Sequence, residues 1–443
     1  MAMDFFPSEI VPFLDTFRNC FNANGFRYFL GFLWLSVGLN DRKCLTRLAS
    51  SCPLFRRHVS GWSRFFSEGP WNLRTVRSRV YRFLISHLTG EVFYKGYLVA
   101  ALDTTLMVSF GRKMLGVQRW HDHSGNADRG GYIIGHHWGL IGLLLHRVNG
   151  WIGLPLIARL FTGQKSPSWI SEGGQIRAAN FWDHSLGLCR ELCETVCWPL
   201  IVIADAYFSK EAFINGMNSM RTILISRLRD DAVGWMPRIP CSSTRRGRGR
   251  PRNSREKVQL ATFLKTMPVQ TASIRVYGAM RLVEYVSAEV YLRHVAFPVK
   301  VVVVKTSRKP LVLFSTSTLL RAEDIVELYG ARFAIEGCIR DLKSEMGWED
   351  YQQTSTPGFY RFVNLTCLTY SIWRLFAIIC PPVLWLPQFK KKPYVVREPA
   401  SIGLIRESLR QRAVRAIINA NSARNAELRK NNQLCDELIR LAA

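Results

Sequence analysis

Two short apolar runs, each ending in an aspartate, constrain the fold of this chain more than any other feature. Residues 98–102 read Leu-Val-Ala-Ala-Leu before Asp103, and residues 200–204 read Leu-Ile-Val-Ile-Ala before Asp205. Such runs predict buried strands, and each aspartate then lies at a strand's carboxyl end, where open α/β sheets place their sites. A lone aspartate in that position is commonly a turn residue or a helix cap, so the pair by itself leaves both interpretations open.

The pattern along the rest of the chain predicts an α/β protein with helical regions at both ends. Apolar residues recur at helical spacing up to about residue 92, and three strands of a meander are expected between Tyr97 and Leu145. A helix near 171–196 precedes a strand, helix, strand alternation, and the chain then turns β-rich. The expected units are a helical N-terminal domain (1–92), the first part of a core (93–226), a β-rich insertion (227–321), the completion of the core (322–385) and a basic helical C-terminal region (386–443).

The charge balance predicts a polyanionic partner. Sixty Lys and Arg residues against 33 Asp and Glu residues give a formal charge of +27, spread over several segments. Between residues 245 and 257 there are seven basic residues and one acid, which favours contact with phosphates from a basic loop; its candidate DNA-binding residues are Arg246, Arg248 and Arg250.

Two features of the sequence argue against export or a membrane. The N-terminus has no basic segment followed by an apolar run, so a cytoplasmic protein is expected. The most apolar stretch, from Thr366 to Pro387, carries Arg374 near its middle and two prolines towards its end, which favours a buried helix over a membrane span.

A polar stripe on the predicted helix near 323–345 is the most specific feature of the chain. At ~100° per residue, its members fall within roughly 80° of one another: Tyr329, Arg332, Glu336, Arg340 and Lys343. A neighbouring apolar stripe would hold the helix on the sheet. Ion pairs on a solvated helix also follow this spacing, but three cations and a tyrosine accompany one acid. The stripe favours a site where Glu336 binds metal and its neighbours hold phosphates.

The residue types suit phosphodiester chemistry. Two metal ions ~3.5–4 Å apart can activate an attacking oxygen and stabilise a leaving one. Hard cations such as Mg²⁺ prefer carboxylate oxygens and keep water ligands for the substrate. Asp103, Asp205 and Glu336 can supply these oxygens, and the metal offsets their mutual repulsion.

The stripe resembles the Y-(2)-R-(3)-E-(6)-K signature of a branch of bacterial insertion-sequence DDE transposases. Tyr329, Arg332, Glu336 and Lys343 match its spacing without a gap, and the segments around Asp103 and Asp205 are similar to the first two acid motifs. The resemblance covers about residues 95–370. It implies an RNase H-like catalytic core interrupted by a β-rich insertion between the second and third acids.

The resemblance also implies a reaction and partners. In such enzymes the three acids bind Mg²⁺, with Mn²⁺ as a substitute, and water nicks the transposon end. The freed 3′-OH then attacks the opposite strand, which forms a hairpin end, or the target DNA. Tyr329, Arg332 and Lys343 would bind backbone phosphates. The implied partners are the element's terminal inverted repeats, target DNA and a second copy of the chain in a homodimeric complex.

Two other functions stay open. A metal-dependent nuclease or phosphohydrolase is suggested by residues between the two aspartates that can bind zinc or manganese: His121, Asp122, His123, His136, His137 and His184. A domesticated transposase that only binds DNA is the non-enzymatic alternative.

Overall fold

A computed structural model describes residues 5–109, 111, 113–122, 131–148, 150–163, 168–171, 174–177, 180–237, 255–380 and 399–424. Its architecture is a mixed α/β fold in which helices cover one large mixed sheet. The basic segment containing Arg246, Arg248 and Arg250, most of the linker after residue 380 and the C-terminal residues 425–443 lie outside the described residues.

Helices make up most of the described chain before the sheet. They are α1 (Val11–Asp15), α2 (Ala23–Gly38), α3 (Leu45–Ser51), α4 (Val59–Ser67) and α5 (Leu73–Val92). Asparagines cap the N-termini of the two longest of these helices. Asn22 accepts a hydrogen bond from the Gly25 amide, and Asn72 accepts one from the Thr75 amide. Aromatic side chains fill the space between these helices.

The strands follow in two blocks separated by helices. The first block is β1 (Phe93–Tyr94), β2 (Tyr97–Val108), β3 (Gln118–His121), β4 (Tyr132–Arg147), β5 (Gly150–Phe161), β6 (Ser168–Ser171) and β7 (Gly174–Arg177). Next come α6 (Phe181–Val196), β8 (Leu200–Ala204), α7 (Glu211–Ser219) and β9 (Ile223–Arg227). The second block is β10 (Val233–Pro237), β11 (Arg255–Gln259), α8 (Phe263–Thr266), β12 (Gln270–Val276), β13 (Ala279–Tyr291), β14 (Pro298–Val304) and β15 (Leu311–Ser315).

Four helices follow the last described strand: α9 (Ala322–Ala331), α10 (Phe333–Ser344), α11 (Thr356–Ile379) and α12 (Ile402–Arg424). The first three contact the sheet, whereas the fourth packs against α2 and α11. The predicted long helix near 323–345 is therefore two helices, with Arg332 between them. Arg332 keeps helical dihedral angles (φ −52°, ψ −33°), so its neighbours on the predicted stripe continue the same helical path.

All the strands in the described ranges belong to one hydrogen-bonded sheet, with the order β11-β10-β13-β14-β15-β9-β8-β2-β4-β5-β6-β7 along its main path. Among these strands, only the central ones β2, β8 and β9 pair in parallel. The β-rich stretch after residue 227 thus continues the central sheet through the pairing of β15 with β9. Strands β14 and β15 form a hairpin in which Val304 pairs with Leu311.

Helices cover both faces of the sheet near its centre. A side chain at Gly139 of β4 would meet Leu188 of α6, whereas one at Gly153 of β5 would meet Cys338 of α10. Gly153 pairs with Leu144, five residues along β4 from Gly139, and an odd separation on a strand reverses the face. Therefore α6 and α10 lie on opposite faces.

The predictions for this half of the chain needed three corrections. The apolar runs at 132–134 and 140–145, which were expected to be separate strands, form the single strand β4. Strand β5 was not predicted, because a glycine and a proline, here Gly153 and Pro155, usually argue against a central strand. A register shift after Ile141 accommodates Pro155. The helix expected from Ser171 begins only at Phe181, since residues 168–177 form the β6–β7 hairpin.

The apolar stretch predicted as a buried helix from Thr366 to Pro387 lies partly in α11, which begins earlier, at Thr356, and ends at Ile379; residues 381–387 lie outside the described residues. Among the described residues, α11 is long and apolar enough to cross a membrane, but 89% of its apolar window is buried inside the protein. Its partners include α4, α5 and β5, so its hydrophobic surface serves the core of the fold.

Candidate functional site

The two aspartates lie side by side, but the prediction that Asp103 ends its strand is wrong: β2 continues to Val108 because residues 103–108 pair with β4, and only Asp205 follows the end of its strand. Strands β2 and β8 are adjacent and parallel, and Leu102 pairs with Ala204, so Asp103 and Asp205 follow at the same level. Neighbouring strands are ~4.8 Å apart, which brings the two carboxylates to one edge of the sheet. Each also accepts a local hydrogen bond: Asp103 from the Thr104 amide (2.7 Å) and Asp205 from the Tyr207 amide (2.9 Å). Asp205 therefore caps a short helical turn as well.

Arg332 links the third carboxylate to this edge. Its guanidinium lies 2.7 Å from Oε1 of Glu336 and 3.6 Å from Oδ2 of Asp103. The side chains of Arg332 and Asp103 are 12% and 16% exposed, while that of Glu336 is 41% exposed. The helical stripe thus meets the sheet at the predicted acids, with an arginine between two of them.

Burial and crowding of acids perturb this group. Burial raises the pKa of Asp103 to about 6, and the carboxylates of Asp205 and Glu336 add to the effect, whereas the Thr104 amide and Arg332 oppose it. Burial also raises the pKa of Asp205. For Arg332, burial acts to lower the pKa, but Glu336, Tyr329 and Asp103 together raise it. Three acids therefore share one buried guanidinium.

The other predicted members of the stripe have different environments. Tyr329 is buried, and Arg332 lies 5.9 Å from its ring centre. Lys343 donates to the Leu106 carbonyl on β2 (2.6 Å) and lies 3.0 Å from Glu349. Arg340 is 78% exposed, and its guanidinium lies 3.6 Å from Asp341. Tyr329, Arg332 and Lys343 thus line the contact between helix and sheet, and Arg340 faces outward.

Two residues at this edge were missed by the sequence analysis. Ile203 pairs with Ile225 in parallel, so the exposed Arg227 at the end of β9 lies level with Asp205. Tyr207, two residues after Asp205, is 50% exposed. The sequence places Arg227 directly after an apolar run, which could have marked it as a candidate site residue. The sequence pattern leaves the strand order open, however, so it does not show that Arg227 lies beside Asp205.

Three of the histidines that suggested another metal enzyme, His136, His137 and His184, are buried packing groups, whereas His121 is exposed. His136 accepts from the Tyr351 hydroxyl at Nδ1 (2.6 Å) and donates from Nε2 to the Leu115 carbonyl (3.0 Å). His137 points to the other face of β4 and stacks on Phe181 at 5.3 Å. Burial lowers the pKa of both histidines to about 4. His184 is also fully buried, and His123 lies outside the described residues.

The three carboxylates have donor atoms and charge that suit a divalent metal, but their side chains are not gathered around one point. Within the described ranges, no three His, Cys, Asp or Glu side chains are arranged closely enough to hold a metal ion. Among Asp103, Asp205 and Glu336, the guanidinium of Arg332 supplies the positive charge that a metal ion would otherwise supply. Three carboxylates against one guanidinium leave two negative charges, and hard oxygen donors suit a hard divalent ion. The donor set and its charge therefore fit such a metal.

An open edge of parallel strands that gathers acids and arginines is suited to chemistry on phosphodiesters. Residues 16–281 match the model of the family described as DDE superfamily endonuclease, and no curated protein matches the sequence. Because the match spans more than half of the chain, the chain belongs to this family.

Membership assigns a general activity. The chain is an enzyme of the nuclease and transposase class with DNA as its substrate, and the superfamily uses divalent metal ions. The mixed α/β fold, with its large mixed sheet and its helices, is compatible with the fold of such nucleases. The matched segment contains Asp103 and Asp205, whereas Glu336 lies beyond its end.

Proposed function

We propose that this chain is the DNA transposase of an insertion sequence, which cuts the ends of its element and joins them to target DNA. The observation that supports this most is the meeting of three separate segments: Asp103 within β2, Asp205 at the same level after the adjacent strand β8, and the helix that carries Glu336. In this proposal Asp103, Asp205 and Glu336 are the catalytic residues and hold two Mg²⁺ ions, which Mn²⁺ can replace.

The chemistry assigns separate roles to the acids and the cations. When bound, the metal supplies a Lewis acid that activates the attacking oxygen and stabilises the leaving oxygen. Asp103 and Asp205 hold their oxygens on a rigid sheet, which limits the reorganisation needed during reaction. Arg332 and Lys343 carry the positive charge that orients the scissile phosphate, and Tyr329 packs beneath Arg332. Arg332 must then exchange part of its contact with Glu336 for a phosphate oxygen.

The finer features of the proposal come from the likeness of the stripe to the Y-(2)-R-(3)-E-(6)-K signature. They are an RNase H-like core, a hairpin end as an intermediate, recognition of terminal inverted repeats and a homodimeric complex with DNA in the cytoplasm. Arg340 and the basic segment with Arg246, Arg248 and Arg250 would add phosphate contacts outside the reacting group. The helical region 1–92 is the proposed unit for binding the DNA ends.

The test is cleavage of DNA by a variant of the third acid. The DNA on either side of the reading frame is first sequenced to identify the terminal inverted repeats, and a duplex that carries them is the substrate, incubated with Mg²⁺. Glu336→Gln should reduce nicking by at least about 1,000-fold, because the carboxylate charge is lost, while binding of the duplex stays within about threefold. Glu211→Gln is the matched control, because it makes the same change from carboxylate to carboxamide at an exposed residue of α7. This variant should cleave normally.

The outcomes separate the alternatives. Unchanged nicking by the Glu336→Gln protein would refute the proposed site. Binding of the duplex without cleavage by the unaltered chain, in both Mg²⁺ and Mn²⁺, would support a domesticated DNA-binding protein. Cleavage that requires Zn²⁺ would support the other metal-dependent hydrolase.

A further inference from the structure

A cavity of about 680 Å³ lies away from the three carboxylates, between β12, the ends of β4 and α5, and the first turns of α9. We call it the β12 groove. Its lining includes Ser273, Ile274 and Arg275 of β12 and the acids Glu91, Glu323 and Glu327. It also includes Arg147, seven residues along β4 from the partner of Asp103, so ~24 Å of strand separates the groove from the candidate site.

The β12 groove follows an unpaired edge of the sheet. Consecutive side chains on a strand point to opposite faces, so a cavity lined by three consecutive residues of β12 runs along the edge of that strand. Strand β13 occupies one edge of β12 from Gln270 to Val276. In the described part of the chain, no second strand pairs with β12 and no other backbone group bonds to it. Alternate N–H and C=O groups of β12 are therefore open to another strand.

The groove contains an acid without a strong cationic partner. Arg147 donates to Glu91 at 2.6 Å, so these two charges offset each other. Glu327 is only 18% exposed; it accepts from the Tyr94 hydroxyl at 3.1 Å and lies 3.6 Å from Nε2 of His146. Among the described residues, no lysine or arginine forms an ion pair with Glu327. The groove thus offers negative charge in a chain whose formal charge is +27, and it suits a cationic ligand.

The acids of α9 are spaced to match an added strand. Tyr285, which is level with the start of β12, donates to Glu323 at 2.7 Å. A side chain at Gly330 would contact Val276, at the end of β12. Helix α9 therefore runs beside β12 in the same direction. Glu323 and Glu327 are ~6 Å apart along the helix axis, and alternate residues of a strand are ~6.7 Å apart.

We propose that the β12 groove binds an extended basic segment of a partner protein, which adds a strand to β12. Hydrogen bonds to the β12 backbone hold the segment, and alternate lysine or arginine side chains pair with Glu323 and Glu327. Arg275, the other cation of the groove, donates to the Val148 carbonyl and leaves these acids to the ligand. Carboxylates repel phosphates, so DNA does not suit this surface. The inference is independent of the proposed function, because the groove lies apart from the candidate site.

The experiment measures peptide binding to the full chain by fluorescence anisotropy. The probe is a labelled octapeptide of alternating lysine and valine, which as a strand presents all its lysines on one face. Two further peptides carry methyl groups on the amides of every lysine or of every valine. Only one of these sets of N–H groups can face β12. One methylated peptide should therefore bind at least about tenfold more weakly than the probe, and the other should bind within about threefold of it.

Substitutions on α9 test the contribution of charge. Glu327→Gln should weaken binding of the probe about 5- to 10-fold, because a partly buried ion pair is lost. Glu327 also bonds to Tyr94 within the fold, so Glu323→Gln is a second variant and should weaken binding about threefold. Glu211→Gln makes the same change at an exposed residue of α7 and should bind like the unaltered chain.

Three results would overturn the proposal. Equal binding of the two methylated peptides would show that the β12 edge does not pair with the ligand. Unchanged binding by both α9 variants would remove the acids from the site. A dimer of the peptide-free chain that dissociates on Glu327→Gln, measured by sedimentation, would assign the groove to a second copy of this chain.

Discussion

Arg332 has two roles to reconcile at the scale of single residues. It was predicted to bind DNA phosphate, and in the structure its guanidinium lies between Asp103 and Glu336. A buried charge without a partner is costly, so each group in this set depends on the others. The arginine can therefore keep the acids together in the absence of DNA and then contact a phosphate when metal balances the carboxylates.

Replacing Arg332 tests this dependence. Arg332→Ala should lower the free energy of unfolding by about 2 kcal/mol in metal-free buffer, because the buried Asp103 loses its cation. Adding Mg²⁺ should recover more stability in the variant than in the unaltered chain, since the ion replaces the missing charge. Urea denaturation with and without Mg²⁺ measures both effects. Arg340→Ala is the control, because the side chain of Arg340 on α10 is 78% exposed. It should change neither the stability in metal-free buffer nor the stability recovered with Mg²⁺. Equal behaviour of the two variants would contradict the role given to Arg332.

Single residues also mark how far the site could be predicted. The strand that ends before Asp205 and the helical stripe that carries Glu336 follow from local periodicity, whereas Asp103 lies within β2 because that strand continues to Val108 in its pairing with β4. Their assignment as catalytic residues stays a prediction. Arg227 and Tyr207 were missed because their neighbours come from strand register and side-chain packing, which involve residues distant in sequence.

At the scale of elements, α11 protects an edge of the sheet. Strand β6 pairs with β5 only at Leu160 and Phe161. Further along β5, the amide of Asn364 on α11 accepts from the Ala158 amide and donates to the Ala158 carbonyl, both at 2.9 Å. The helix therefore satisfies backbone groups that another strand would otherwise pair, and this limits edge-to-edge association.

The contact of Asn364 with β5 is testable by a near-isosteric change. Asn364→Leu should destabilise the protein by about 3 kcal/mol, because it leaves a buried N–H and a buried carbonyl of Ala158 without partners. Chemical denaturation gives the value. Thr366→Val is the matched control: Thr366 is fully buried on the same helix but bonds only to its own helix at Phe362, so its replacement should cost about 1 kcal/mol or less. Similar costs for the two variants would rule out the proposed pairing of helix and strand.

At the scale of the whole molecule, one hydrogen-bond chain joins segments that are far apart in sequence. Trp138 donates to the Tyr351 hydroxyl (3.2 Å), which donates to His136, and His136 donates to the Leu115 carbonyl. This chain connects β4, the segment between α10 and α11, and the loop after β2. Its donor pattern requires a neutral His136.

This requirement predicts sensitivity to acid. The folded pKa of His136 is lowered from 6.5 to about 4, so the unfolded chain binds more protons than the folded chain between these values. Stability from this group is present above about pH 6.5 and declines as the pH falls towards 4, by about 2 kcal/mol between about pH 7 and pH 5. Denaturation at the two pH values measures it. His136→Gln should reduce the difference, whereas His87→Gln, at an exposed histidine, should leave it unchanged. An equal pH dependence in all three proteins would refute the prediction.

The sequence by itself determined the local elements of this protein, because apolar periodicity and residue types act over neighbouring positions. It predicted the apolar strand segments that precede the two aspartates, the polar stripe around Glu336, a buried helix from Thr366 and a DNA partner. Only the tertiary structure decided the single continuous sheet, the strand β5 despite Pro155, the bridging position of Arg332 and the arginine and tyrosine beside Asp205. These depend on register and packing between segments separated by a hundred residues or more in several cases, and no local pattern encodes such pairings.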